Sequence, residues 1–353
     1  MRSFYLPGFG KPSTYKLGAL PKPTVSQPDH ILIKVYAASL NPIDMRYAEG
    51  TMKLMMPTQE FPSKLGYDTS GVIEDLGEAA KTDGWKVGDE VFVRLPHEHR
   101  GSLSEYALTT TYYIARKPAN ISHVEAASLP LVSMTAYQAM GRFEGGREAL
   151  QGKTVLVTAG MGGAGSIGVQ LMKAFGAKEV ITTISGSKIP RAKELFGNVV
   201  DRYIDYKTED PAKAIEPRSL DFILDTAGGT IYPLFHLLKE QHRFVSIAAI
   251  PSGSDMKNMM PDTPWYVSFA LNMNSRWKIT GPASKENIIY EYHRLSPNGA
   301  DLSAVAKLVE AGQVKAVVGD VFDFDEAGCI KAAELVQGNG SPKGGKVVIK
   351  IAE

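Results

Sequence analysis

A glycine-rich segment limits most strongly what this chain can fold into, and it consists of Gly160, Met161, Gly162, Gly163, Ala164 and Gly165. An apolar stretch at residues 153–158 predicts a buried strand before it, and residues 166–175 predict a helix after it. In that context the first glycine permits a tight turn, the second lets amides approach a pyrophosphate, and the third lets helix and strand pack closely. The helix start also presents N–H groups to phosphates. The segment therefore predicts a dinucleotide-binding loop, with a ligand-free glycine-rich turn as the alternative.

The rest of the chain predicts two kinds of folded unit, as its length of 353 residues suggests. Apolar strands at 153–158, 179–184, 221–225 and 243–250 alternate with helices, which predicts an α/β fold with a Rossmann-type doubly wound parallel sheet. Residues 1–125 have short strands and frequent turns, which predict a partly closed β-rich domain. We expect an irregular loop at 251–264, helices at 285–295 and 302–311, and a strand at 346–351. This tail is too short for a domain and is expected to complete the first one.

The end of the second predicted Rossmann strand indicates the choice of dinucleotide. NAD-binding folds usually place an Asp or Glu about 20 residues after the first glycine, where it accepts hydrogen bonds from the ribose. Residues 180–185 contain no acid, and Ser185, Ser187, Lys188 and Arg191 stand at or after the strand end. Hydroxyls and cations bind a 2′-phosphate, whereas a carboxylate repels it. We therefore predict NADPH, with Tyr206 closing over the adenosine end; a solvated helix face is the alternative for Lys188 and Arg191.

Seven motifs occur in register along almost the whole chain. They are LNPID at 40–44, LGYDTSG at 65–71, VGDEV at 87–91, residues 129–138, the glycine-rich loop with Gln170, DFILDTAGG at 221–229 and GKVVI at 345–349. This order resembles the quinone-oxidoreductase-like, zinc-independent branch of the medium-chain dehydrogenase/reductase superfamily. Residues 41–44, 60–62, 101–105 and 221–225 look most like its reticulon-interacting mitochondrial oxidoreductase group.

The resemblance implies a particular domain arrangement and site. It implies a split, GroES-like catalytic domain at 1–126 and 283–353, a Rossmann domain at 127–282, and an active site in the cleft between them. It also implies that Thr135 faces the nicotinamide, that Gly345 and Lys346 help to bind the cofactor, and that the protein is a homodimer.

The sequence does not predict a catalytic zinc. In zinc alcohol dehydrogenases of the same superfamily a Cys near position 41 and a His near position 67 would bind the metal, but this chain has Asn41 and Tyr67. The single cysteine, Cys329, is far away in sequence. His97-Glu-His99 matches no metal motif, and we expect a solvated loop there. A zinc alcohol dehydrogenase is therefore disfavoured.

Without a metal, reduction of a conjugated C=C or a quinone is the chemistry that the sequence favours. Asn41 is expected to orient the nicotinamide or the substrate carbonyl, with a turn residue before Pro42 as the alternative. Tyr47 and Tyr67 are candidate proton donors, with ordinary core tyrosines as the alternative. Other side chains are expected to form either an apolar pocket wall or a core or dimer interface, namely Met52, Met55, Met56, Met259, Met260, Trp265 and Phe269.

The overall composition excludes several partners. A net charge of +1 and a pI near 7.7 predict neither nucleic acid nor anionic membrane binding. No long apolar run predicts a membrane span, and the N-terminus lacks a signal or presequence pattern, so we expect a cytoplasmic enzyme. The expected partner is an apolar small molecule with a conjugated carbonyl. A cofactor-binding protein with a regulatory or partner-binding role is the alternative, because the motifs report cofactor binding only.

Overall fold

The protein divides into two compact units in a computed structural model, which describes residues 1–53, 60–229, 232–338 and 340–352. One unit comprises Met1–Met134 and Ser296–Glu353, and the other comprises Thr135–Leu295. The predicted boundaries, after residues 126 and 282, lie earlier in the chain. None of the described helices is long and apolar enough to cross a membrane.

The split unit is built on strands, as its short apolar segments predict. Its strands are β1 Arg2–Leu6, β2 Lys16–Ala19, β3 His30–Leu40, β4 Ser63–Lys64, β5 Asp68–Leu76, β6 Glu90–Arg94, β7 Tyr106–Thr110, β8 Ile114–Arg116, β15 Val318–Asp323 and β16 Lys346–Lys350. One sheet has the order β2-β1-β4, and the larger has the order β15-β16-β3-β5-β6-β8, with β7 also paired to β3. β16 pairs antiparallel with β3, so the C-terminal tail completes the N-terminal sheet as predicted.

Short helices cover the sheets of this unit. They are α1 Pro42–Ala48, α2 Glu78–Thr82, α3 His123–Ala127, α4 Pro130–Met140, which continues into the second unit, α11 Gly299–Glu310 and α12 Glu326–Gln337. The predicted capping box opens α3, where the Ser122 hydroxyl accepts a bond from the Glu125 N–H. Cys329 lies in α12, buried in the apolar core.

The second unit has the predicted doubly wound sheet. Its strands are β9 Thr154–Val157, β10 Glu179–Ile184, β11 Arg202–Asp205, β12 Leu220–Asp225, β13 Leu238–Ser246 and β14 Ile289–Tyr292. They are all parallel, in the order β11-β10-β9-β12-β13-β14, which is the Rossmann order with its switch point between β9 and β12. The helices are α5 Gly163–Ala174, α6 Ile189–Phe196, α7 Pro211–Ala214, α8 Gly253–Met259, α9 Trp265–Ser275 and α10 Gly281–Lys285.

Two predictions for this unit were wrong. The helix expected at 285–295 is instead strand β14, because β13 offers a free edge and the Tyr290 ring packs against the rings of Phe235 and Phe244. The irregular loop expected at 251–264 contains helix α8, which begins with a capping box at Ser252 and Asp255. At 285–295, pairing with β13 outweighed the helical spacing and gave the parallel sheet its sixth strand. At 251–264, the capping box was overlooked in the sequence.

Candidate active site

The glycine-rich loop lies at the switch point of the Rossmann sheet. Residues 158–162 connect β9 to α5, and the Gly162 N–H donates to the Ala159 carbonyl at 2.7 Å. A Cβ on Gly160 would collide with the Thr182 hydroxyl, and one on Gly165 would collide with the Ala159 carbonyl. Gly160 and Gly165 are therefore required by these close contacts, and that of Gly165 is the close packing expected of the third glycine. Gly163 and Ala164 begin α5, so the N–H groups of its first turn have no acceptor within the helix and can face a phosphate.

The end of β10 carries the side chains expected to select the cofactor. Ser185 begins a 3₁₀ turn at Gly186–Lys188, and its hydroxyl lies 3.3 Å from the Ser187 hydroxyl. The pKa of Lys188 is lowered by burial and by the positive charges of Lys207 and Arg191, so three cations lie close together. Tyr206 follows β11 and is exposed.

Sequence reasoning missed two residues at this edge. Lys207 is a third cation near Lys188, besides Arg191. The Asp205 carboxylate lies so near Gly186 that a Cβ on Gly186 would collide with it. Both follow from sheet order, because β11 pairs in parallel with β10 and Ile184 faces Asp205. The edge therefore carries three cations and one carboxylate, where the sequence had suggested cations alone.

A buried polar network links both ends of the split unit. The Asn41 amide donates to Asp68 Oδ2 at 2.9 Å, and the Asn41 N–H donates to Asp44 Oδ2 at 2.7 Å. Lys346 Nζ donates to the Leu40 carbonyl at 2.8 Å and to Asn41 Oδ1, and it lies 3.7 Å from Asp68 Oδ2. β16 brings Lys346 here by pairing with β3, whose last residue is Leu40. The network thus engages both polar atoms of the Asn41 amide.

The charges of this network are unequal, because two carboxylates share one ammonium. Burial raises the pKa of Asp44 to about 7, and the nearby Asp68 charge adds to the shift. Burial also raises the pKa of Asp68, which Lys346, Asn41 and the Leu131 N–H partly offset. Burial lowers the pKa of Lys346. Lys346 forms an ion pair with Asp68, and Asp44, whose pKa is about 7, is about half protonated near neutral pH.

The two candidate tyrosines lie in one aromatic cluster. Tyr47 and Tyr67 are 3% and 1% exposed. The Tyr67 hydroxyl lies 2.9 Å from His97 Nδ1, and the Arg100 guanidinium stacks 3.4 Å over the Tyr47 ring. Burial raises the pKa of Tyr67. His97 is exposed in a short turn, as the solvated-loop prediction requires, but it also bonds to Tyr67, which that prediction missed.

The other predicted residues are placed separately. Thr135 is buried in α4, and Gly345 has a positive φ and packs against the Val317 carbonyl. Trp265 and Phe269 are 73% and 61% exposed on α9, while Met52, Met259 and Met260 are half-buried. Met55 and Met56 lie outside the described residues. The roles expected for these side chains stay predictions.

Comparisons with known proteins identify the family. Residues 27–119 match the alcohol dehydrogenase GroES-like domain, and residues 200–349 match a model described as a zinc-binding dehydrogenase. The chain is 30% identical to the human mitochondrial NAD(P)H oxidoreductase RTN4IP1, covering 86% of this chain and 78% of that protein. It is 33% identical to a chloroplastic quinone-oxidoreductase homolog of Spinacia oleracea, covering 67% and 70%.

The fold comparison agrees. The structure of a quinone oxidoreductase from Coxiella burnetii matches with a TM-score of 0.80 and 29% identity, covering 99% of each chain. The resemblance drawn from the seven motifs is therefore confirmed. This chain belongs to the medium-chain dehydrogenase/reductase superfamily, in its quinone-oxidoreductase-like branch.

Proposed function

We propose that this protein is an NADPH-dependent, zinc-independent reductase that transfers a hydride to an activated C=C, as in an enone, enal or enoyl thioester, or to a quinone. The observation that carries the proposal is the glycine-rich loop at the switch point, followed by a β10 end with two serine hydroxyls and three neighbouring cations. A homodimer and a cytoplasmic location stay predictions.

The cationic edge after β10 supports NADPH over NADH. After burial, the positive charges of Lys207 and Arg191 lower the pKa of Lys188, and a 2′-phosphate beside Lys188 would offset that repulsion and accept charge-assisted hydrogen bonds. Asp205 is the one carboxylate described at this edge, and it already accepts a hydrogen bond from the Lys207 N–H. The balance of charge therefore favours an anionic group on the ribose.

The polar network of the split unit supports chemistry without zinc. The side chains at the expected ligand positions are an amide and a phenol, and neither is a usual zinc ligand. The Asp68 carboxylate is paired with the Lys346 ammonium, whose positive charge would repel a metal ion. Among the described residues no three His, Cys, Asp or Glu side chains cluster as a ligand set. The residues present do not fit a zinc site, although one matched family model is described as zinc-binding.

NADPH, when bound, supplies the hydride, and the chain's own residues then have to orient the acceptor and manage its proton. The first turn of α5 would hold the pyrophosphate. Asn41 is almost fully buried and both ends of its amide are engaged by Asp68 and Lys346, so its expected contact with the nicotinamide or the substrate carbonyl stays a prediction. Since the shared network restrains α1, it also positions Tyr47.

A steady-state screen tests this proposal. NADPH oxidation would be followed with enals, enones, enoyl thioesters and quinones, and the same preparation would be analysed for zinc. Turnover with at least one of these acceptors in protein free of stoichiometric zinc is expected. Tight NADPH binding without turnover would favour a binding protein, and activity that depends on stoichiometric zinc would favour an alcohol dehydrogenase.

A further inference from the structure

The aromatic cluster of the split unit has one exposed ring that can meet a substrate. The predicted proton donors Tyr47 and Tyr67 are almost fully buried, which leaves little of either phenol for a substrate to touch. His97 is exposed, contacts Tyr47 edge-on with ring centroids 5.3 Å apart, and is hydrogen-bonded to Tyr67. The buried Tyr67 hydroxyl is therefore connected to the surface by its hydrogen bond to this imidazole.

The hydrogen bonds at His97 fix which ring nitrogen carries the proton. Arg100 Nη1 lies 3.4 Å from His97 Nδ1, and a guanidinium can only donate. Nδ1 must then be an acceptor, and it accepts from the Tyr67 hydroxyl at 2.9 Å as well. In a neutral imidazole with Nδ1 accepting, the proton is on Nε2. The ring therefore presents Nε2–H as a proton donor.

Two guanidinium groups near this pair lower part of the free-energy cost of removing the phenol proton. The Arg94 guanidinium lies 4.4 Å from the centre of the Tyr67 ring, and the Arg100 guanidinium also interacts with Tyr67. Asp44 is the nearby acid that opposes ionisation of Tyr67, and Glu98 is adjacent to His97 in the turn. The two cations therefore partly offset the effect of burial, which is the larger one and raises the pKa of Tyr67.

We infer that His97 is the proton donor to the reduced substrate and that Tyr67 is a positioning residue that fixes the imidazole tautomer and replenishes its proton. This inference rests on the proposed function. Hydride adds to the β-carbon of an enone, and the electron pair of the C=C moves to give an enolate. The Nε2–H bond breaks as a C–H bond forms at the α-carbon, and Nδ1 takes the Tyr67 hydroxyl proton. The exposed Nε2 then takes a proton from water as Nδ1 returns its proton to the phenolate, which restores the starting state.

Comparing an enone with a quinone acceptor distinguishes a loss of proton delivery from a general loss of enzyme activity. An enolate needs a proton on carbon, whereas a reduced quinone carries its charge on oxygen and is protonated by water. His97→Asn keeps an oxygen that can accept from Tyr67 but removes the transferable ring proton. It is expected to lower kcat for methyl vinyl ketone by about 100-fold or more while changing kcat for menadione by less than about threefold. The matched control is His99→Asn in the same turn, which should leave both values unchanged.

A second variant tests the pairing. Tyr67→Phe should lower kcat for the enone only, and the double variant should be no slower than His97→Asn, because both substitutions break one relay. Melting temperature and NADPH affinity would verify that each variant is folded, and His97→Gln replaces His97→Asn if the latter is not.

An equal loss with both acceptors, an unchanged enone rate or additive effects would overturn the inference. Wild-type turnover of menadione but not of the enone would overturn it and leave the proposed function standing, whereas turnover of no acceptor would refute the proposed function itself.

Discussion

Asp44 offers a direct physical test of the buried network. Its Oδ2 accepts from the Asn41 N–H, whereas its Oδ1 is buried with no hydrogen-bond partner among the described residues. Burial raises the pKa of this carboxyl to about 7. Asp44→Asn keeps the size of the side chain and an oxygen that can accept from Asn41, but it removes the titrating group. The substitution therefore isolates the cost of ionising Asp44 inside the protein.

The expected magnitude follows from the difference between the folded and unfolded pKa. An unfolded Asp loses its proton near a pKa of about 3.9, so between about pH 4 and about pH 7 the folded state holds more protons than the unfolded state. Stability from this group is therefore present at low pH and is lost as the pH rises. A difference of about three pKa units corresponds to about 4 kcal/mol, of which about 3 kcal/mol falls between about pH 5 and about pH 8.

Urea unfolding of the two proteins, followed by circular dichroism, measures this cost. Relative to wild type, the Asp44→Asn protein should gain about 3 kcal/mol in the free energy of unfolding between about pH 5 and about pH 8. Titrating groups that do not interact with Asp44 cancel in that difference. Asp83→Asn on the surface of the same unit is the control and should give a difference that does not change with pH. A difference for Asp44→Asn that is independent of pH, or that grows towards acid, would refute the reasoning.

Two further predictions concern the Rossmann unit. Lys188→Glu should raise the Michaelis constant for NADPH by about 10-fold to 100-fold, which matches the loss of about 1.5–3 kcal/mol from one hydrogen bond to a charged group, with little change for NADH. Lys193→Glu on the exposed face of α6 is its control, and equal changes for both cofactors would mean that the 2′-phosphate is placed wrongly. Gly165→Ala should abolish tight cofactor binding, because its Cβ would collide with the Ala159 carbonyl, while Gly8→Ala, which meets no atom within 4 Å, should bind normally in the same fluorescence titration.

The Rossmann loop could be predicted from the sequence because every part of its signal is local. The strand, the glycines and the following helix are adjacent in the chain, and the close contact that requires Gly165 is with Ala159 in the same loop. Strand β14 could not be predicted in this way. Ile288, Tyr292 and Leu295 have helical spacing, and only pairing with β13 makes the segment a strand.

The residue types of the candidate site could be predicted from the sequence, but the hydrogen bonds between those residues could not. Asn41 and Tyr67 stood out because they replace expected zinc ligands. The hydrogen bond between Asn41 and Lys346 joins residues more than 300 positions apart, and no local sequence pattern predicts it. His97 lies in a short polar stretch that is typical of a solvated loop, and its bond to Tyr67, 30 positions earlier in the chain, depends on tertiary packing.

Selection of NADPH by the β10 edge is measured by the ratio of kcat/KM for NADPH to that for NADH with one enone or quinone acceptor. The cations at Lys188, Arg191 and Lys207 predict a ratio of about 100 in favour of NADPH, equivalent to about 3 kcal/mol of charge-assisted binding. A ratio near one, or a preference for NADH, would contradict the account.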